Sequence, residues 1–236
     1  PRAMSGLFFP DDGRVDNRLL ARALWKAAER AGARFVRADA RAVLVRGDQV
    51  AGVELSQGRV DTPRVVVAAG AWSALLPGAR IAAGAVRPVR GQMIALGIAP
   101  PFQAVIRGAA GYAVPRGSDR VIVGATVEEV GFDKSLTAEG IGRMRELADL
   151  LSPSLAEAPI VEEWAGLRPG SADGLPLLGL PVAGPRGLAV ATGHYRNGIL
   201  LAPITGELVR DLALGRAPRL DLAPFRPDRF SVPASR

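Results

Sequence analysis

Arg64-Val-Val-Val-Ala-Ala-Gly-Ala-Trp-Ser73 is the stretch on which the reading of the fold turns. Three valines and two alanines in a row predict a strand over 64–69 buried on both faces, as in parallel sheets, and Gly70 ends it in a tight turn. Residues 71–77 read as one short helical turn. Upstream, Leu19, Leu20, Ala23, Leu24, Ala27 and Ala28 recur at helical spacing, with Asp16 placed to cap that helix and Gly32 to stop it. Strands are expected over 33–38, 42–46, 50–55 and 59–61, with Gly47-Asp48 turning the chain in a small meander.

Beyond Pro77 the pattern becomes antiparallel β: 86–96, 105–107, 112–115 and 120–126, joined by turn formers such as Gly117, Ser118 and Asp119. Thr137 opens a helix whose Ile141, Met144, Leu147, Ala148 and Leu151 share one face; Pro153 closes it, and that face should pack on the sheet. Short strands return over 161–167 and 187–191, separated by a Gly- and Pro-rich loop over 174–187. A last helix sets Ile204, Leu208, Val209 and Leu212 on one side and ends at Gly215. This order implies an α/β (α+β) fold, a partial Rossmann-like domain interrupted by a mostly antiparallel β-sheet domain.

With 236 residues, 48% of them hydrophobic, the chain can bury a large core as one domain or two intertwined ones. The formal charge of +7 rests on arginines, Lys26 and Lys134 being the only lysines. They are scattered, with no stripe interleaved with aromatics and no base-reading module, so the sequence argues against nucleic acid and for a generally basic surface. There is no cysteine, which excludes disulfides, thiol nucleophiles and thiolate metal sites, and the single histidine, His194, cannot build a zinc site; no metal is expected. Redox chemistry would need a borrowed cofactor. The most apolar stretch, 65–79, is too short to span a bilayer, and no signal segment opens the chain, so no membrane partner and a cytoplasmic location are expected. Pro1 is not an initiator methionine, which suggests a sequence that starts partway through a longer reading frame or after processing.

Three places could carry chemistry. At Gly70 and Ala71 a strand end meets residues small enough for a ring or phosphate to approach the backbone; a ligand-free turn is the other reading. In Glu162-Glu-Trp-Ala-Gly-Leu-Arg-Pro-Gly170, Arg168 ends an apolar strand that Pro169 should stop. Its planar fork suits a substrate carboxylate, and equally a structural pair with Glu162, Glu163 or Asp173. In Ala191-Thr-Gly-His-Tyr-Arg-Asn-Gly-Ile-Leu-Leu-Ala-Pro203 a strand ends, Gly193 turns and a helix starts near Gly198, exposing N–H groups that suit an anionic edge. His194 there could be a turn residue without chemistry, and Arg196 a second carboxylate contact or a surface charge.

Taken in order, the Val65–Ser73 run, Tyr112-Ala-Val-Pro-Arg116, Val123-Gly-Ala-Thr126, Trp164-Ala-Gly-Leu-Arg-Pro-Gly170 and Gly193-His-Tyr-Arg-Asn-Gly-Ile-Leu-Leu-Ala-Pro203 resemble the D-amino-acid oxidase superfamily, its glycine oxidases above all. The resemblance implies FAD as cofactor and oxidative deamination of glycine, sarcosine or small D-amino acids, with hydride passing to flavin N5 and O2 reduced to hydrogen peroxide. It implies an FAD-binding domain over 11–83 and 161–236 around a substrate-binding domain over 84–160, with 1–10 as an added strand of the latter. Arg168, Tyr112 and Arg196 would bind substrate. Arg41, Gly70, Ala71, His194, Tyr195, Arg196, Asn197, Gly198, Ile199 and Leu200 would contact the cofactor. No side chain would act as acid or base. A small amino acid and O2 are the implied partners, with a homo-oligomer and thiamine biosynthesis as further implications.

Two positions depart from the glycine oxidase pattern: Ala110 stands where it has histidine and Val127 where methionine is common. The strand, Gly-x-Gly-x-x-Gly turn and helix that grip the pyrophosphate have no counterpart in residues 1–16, where Gly6-Leu-Phe-Phe-Pro10 resembles the strand that precedes the Asp16 helix. The expectation is therefore a fragment that holds the cofactor weakly or not at all. A flavin dehydrogenase of proline-like amines or glycerol phosphate, passing electrons to a carrier, is the alternative enzyme; a non-catalytic fragment is the alternative outside enzymes.

Overall fold

In the computed structural model, which describes residues 5–230, helix α1 (Asn17–Arg30) starts where Asp16 predicts. The Asp16 carboxylate accepts from the N–H groups of Arg18 (2.9 Å) and Leu19 (3.0 Å), satisfying two donors that the first turn leaves open. Strands β1 (Ala40–Arg46), β2 (Gln49–Leu55), β3 (Gly58–Asp61) and β4 (Val65–Val67) follow, and a short 3-10 segment covers Gly70–Leu75. Then come β5 (Val86–Gly97), β6 (Ile106–Gly108), β7 (Gly111–Arg116), β8 (Arg120–Gly124) and helix α2 (Ala138–Leu151). The chain continues through β9 (Ile160–Ser171), β10 (Leu177–Gly179), β11 (Leu188–Thr192) and helix α3 (Gly198–Ala213).

Two compact units emerge, one from the chain up to Arg34 with Arg90–Leu167, the other from Phe35–Val89 with the chain from Arg168 on. The divisions fall inside β5 and β9, and α1 groups with the first unit instead of with 35–83. In the first unit, Ile94, Leu96, Ala113, Val121 and Val123 of the sheet pack against Met144, Leu147 and Ala148 of α2, as the helical periodicity requires. The sheet order is β6-β7-β8-β5-β9. In the second unit a β1-β2-β3 meander stands beside a β10-β11-β4 sheet, and Val43, Val50, Val67, Leu177, Leu188 and Val190 share a core. The mixed α/β fold with antiparallel sheets is thus as expected.

A buried polar network braces the first unit. Arg90, 4% exposed, donates to Glu128 Oε2 (2.9 Å from Nε, 2.5 Å from Nη2) and to Asp133 Oδ2 (2.7 Å). Fully buried Gln92 donates to Glu128 Oε1 and Thr137 Oγ1, both at 2.9 Å, and accepts from the Thr137 N–H (2.8 Å). Thr137, the N-cap of α2, also accepts from the Gly140 N–H (3.0 Å), so one network sets both a strand and the start of the helix above it.

Four expectations need correction. Residues 33–38 form no strand, and Phe35 and Val36 are 43% and 66% exposed, because no strand among the described residues lies beside them to complete a ladder. β4 is an edge strand of three residues, with Val66 38% exposed, so only one face is buried. Pro169 does not stop β9, which runs on to Ser171; β9 is the edge of its sheet, where a missing N–H is tolerated. The 174–187 stretch contains β10, antiparallel to β11. Among the described residues no helix is long and apolar enough to cross a membrane, and no group of acidic side chains and histidine could hold a metal.

Candidate functional site

β4 and β11 run parallel, with Val65 opposite Leu188 and Val67 opposite Val190, so both chains leave the second unit's sheet at the same end. Ligands of open α/β sheets sit beyond such carboxyl ends. After β4, Gly70 takes φ +56° and a Cβ there would meet nothing within 4 Å, so the turn faces open space. After β11, Gly193 takes φ +76° where a Cβ would stand 2.9 Å from the Leu177 side chain, and Tyr195 follows with φ +50°.

Hydrogen bonds tie these turns together. Thr192 Oγ1, at the end of β11, donates to the Gly70 carbonyl (2.8 Å). The Tyr195 N–H donates to the carbonyl of Pro169, the residue after Arg168 (2.9 Å). His194 Nε2 shares a hydrogen bond with Thr205 Oγ1 on α3 (2.9 Å). The 192–195 turn thus links the Gly70 turn, the Arg168 end of β9 and α3, all in the second unit.

α3 begins after Asn197 with no side-chain cap and no acidic residue in its first turn, leaving the helix's partial positive end to an outside acceptor. Ile199 and Leu200 stand beside it 51% and 79% exposed. The fully buried hydroxyl of Ser73 has no hydrogen-bond partner among the described residues. A turn with room at Gly70, an uncapped helix start and exposed aliphatics have the chemistry that would hold the ring end of a flavin. A Gly-x-Gly-x-x-Gly pyrophosphate turn is not found in the sequence.

Of the remaining expected cofactor contacts, Ala71 is buried in the turn and Arg196 and Asn197 are exposed. Arg41 is exposed at a register shift of β1, between the Ala40–Leu55 and Ala42–Glu54 pairs, where a bulge re-aims a residue. Arg168 is half-buried in β9. Two of the carboxylates named beside it in the sequence have arginine partners of their own. Glu162 accepts from Arg18 at 2.5 and 3.1 Å. Asp173 takes a bidentate grip from Arg229, both bonds 2.8 Å, which holds its pKa at about 2. Burial pushes the His194 pKa down, favouring the neutral ring.

Tyr112 belongs to the first unit, half-buried on β7 opposite Gly124, where a Cβ would come 3.4 Å from the tyrosine oxygen. In the same unit Ala110 and Val127, the two departures from the glycine oxidase pattern, line one cavity of about 420 Å³ with Arg143, Met144 and Glu146. A larger cavity, about 730 Å³, lies between residues 7–12 and Ala104, Val105 and Arg107 and holds none of the expected site residues. Sequence reasoning missed Thr192, Thr205 and Ser73. A β-branched hydroxyl between a strand and a positive-φ glycine was the available signal for Thr192.

The chain is 45% identical to the glycine oxidase of Pseudomonas aeruginosa over 182 residues, which is 77% of this chain and 50% of that protein. It is 38% identical over 239 residues to the bifunctional protein ThiO/ThiG of Trichormus variabilis, covering 98% of this chain and 35% of the relative. The crystal structure of glycine oxidase from Geobacillus kaustophilus superposes with a TM-score of 0.82 at 37% identity, covering 89% of this chain and 57% of that one. The chain thus spans about half the length of the glycine oxidases it matches. A family model described as FAD dependent oxidoreductase matches residues 1–212, and the chain belongs to that family.

Proposed function

We propose that this chain supplies the carboxylate anchor and the ring-side seat of FAD in an oxidase of glycine, sarcosine or small D-amino acids. The observation that carries the proposal is the 192–195 turn, bonded on one side to Gly70 and on the other to Pro169 beside Arg168. The fit of that region to a flavin and the likeness to glycine oxidases support it. Arg168 would hold the substrate carboxylate in two parallel hydrogen bonds, orienting the α-carbon without any proton transfer. Gly70, Ala71 and 194–200 would seat the cofactor, with Arg41 near its adenine end; Arg196 would be a second carboxylate contact, and Tyr112, carried by the first unit, a substrate contact by resemblance. Bound FAD would accept the α-hydrogen with its electron pair and pass two electrons to O2, giving hydrogen peroxide. The amine, having lost that hydride and released one nitrogen-bound proton to water, leaves as an imine that water hydrolyses, and that proton completes the peroxide. A homo-oligomer acting in the cytoplasm, in thiamine biosynthesis, completes the reading.

Peroxide release by the complete protein, supplied with FAD and with glycine, sarcosine or D-alanine in turn, tests this. Saturable peroxide formation with at least one of them is the expected result. Oxidation of these amines that reduces an added electron carrier and yields no peroxide would contradict the oxidase reading.

A further inference from the structure

We infer that Thr192 is a positioning residue: its hydroxyl fixes the peptide that presents the Gly70 turn to the flavin, and links the flavin seat to the Arg168 end of β9. The inference rests on the functional reading above. Thr192 is 2% exposed, and its Oγ1 donates to the Gly70 carbonyl at 2.8 Å, across 122 positions of sequence. Gly70 needs this restraint. It stands at φ +56° without a side chain, and nothing packs within 4 Å of a Cβ position. The carbonyl and N–H of a trans peptide point in opposite directions. With the Gly70 carbonyl turned to Thr192, the N–H of Ala71 is directed away from Thr192. The same turn reaches Pro169 through the Tyr195 N–H and α3 through His194 and Thr205, so a shift at Thr192 is transmitted to the strand end that carries Arg168.

Thr192→Val keeps the shape of the residue and removes the hydroxyl that donates to the Gly70 carbonyl. The test uses the complete protein stripped of flavin. FAD affinity is measured by titration of the apoprotein, and then, at saturating FAD, the affinity for glycolate from the change in flavin absorbance. Thr192→Val is expected to weaken FAD binding about tenfold, to weaken glycolate binding as well, and to be rescued by Thr192→Ser. A residue with a merely structural role would lower the unfolding temperature and leave both affinities unchanged, and that result overturns the inference. Gly70→Val, which fills the open turn and strains its φ, is the control for the underlying reading. If Gly70→Val binds FAD normally, the flavin seat itself is misplaced and the inference falls with it. If Gly70→Val loses FAD while Thr192→Val does not, only the role of Thr192 fails. Should Thr192→Val not fold, Thr192→Ala against Thr192→Ser is compared in the same titrations.

Discussion

His194 is held neutral by its surroundings, and the consequence has a definite sign. Burial lowers its pKa from the ordinary 6.5, so the unfolded chain takes up a proton at a pH where the folded protein still excludes it. The contribution is complete above pH 6.5 and is lost as the pH falls through the folded value. Thermal unfolding of the complete protein from about pH 8 to about pH 5 should show a loss of stability below the ordinary histidine pKa that His194→Gln reduces. An identical pH slope in the variant would contradict it. Asp173 does not confuse the measurement: Arg229 keeps it ionised down to about pH 2. At this scale the glycines were legible in the sequence, because Gly70 and Gly193 sit where strands end and only positive φ turns the chain so tightly. Thr192 was not, since its partner lies on another strand's turn. Nor was the pairing of Asp173 with Arg229, more than fifty positions on.

Elements were read well where local chemistry decides them. Asp16 and Thr137 cap α1 and α2 as their side chains predict, and the apolar stripe of α2 faces the sheet. The failures share one cause, dependence on a neighbour that local sequence does not name. Residues 33–38 have strand composition without a strand beside them among the described residues, and Pro169 is tolerated because β9 lies at a sheet edge. α1 shows the same from the other side: it is amphipathic, yet none of its residues is buried. Leu96, by contrast, is fully buried between the sheet and α2. Leu96→Ala should cost about 2–5 kcal/mol in urea unfolding, whereas truncating Leu24, 58% exposed on α1, should change stability far less. Equal losses for the two would contradict the packing described here.

For the molecule as a whole, fold class was legible because helices, a meander and a second antiparallel sheet follow one another in an order with few solutions. The Arg90–Glu128–Gln92 network escaped notice, since its members come from a strand, a loop and a helix cap and none carries a local signature. The candidate site was legible mainly through five motifs in register; composition alone left Arg168 open between a ligand contact and a structural pair. The proposed function takes the first of these. The most direct test is titration of the complete, FAD-loaded protein with glycolate, a carboxylate without an amine, followed by flavin absorbance. The account predicts a saturable spectral change in the parent protein and a dissociation constant raised about a hundredfold in Arg168→Met. Unchanged glycolate affinity in that variant, with FAD still bound, would contradict it.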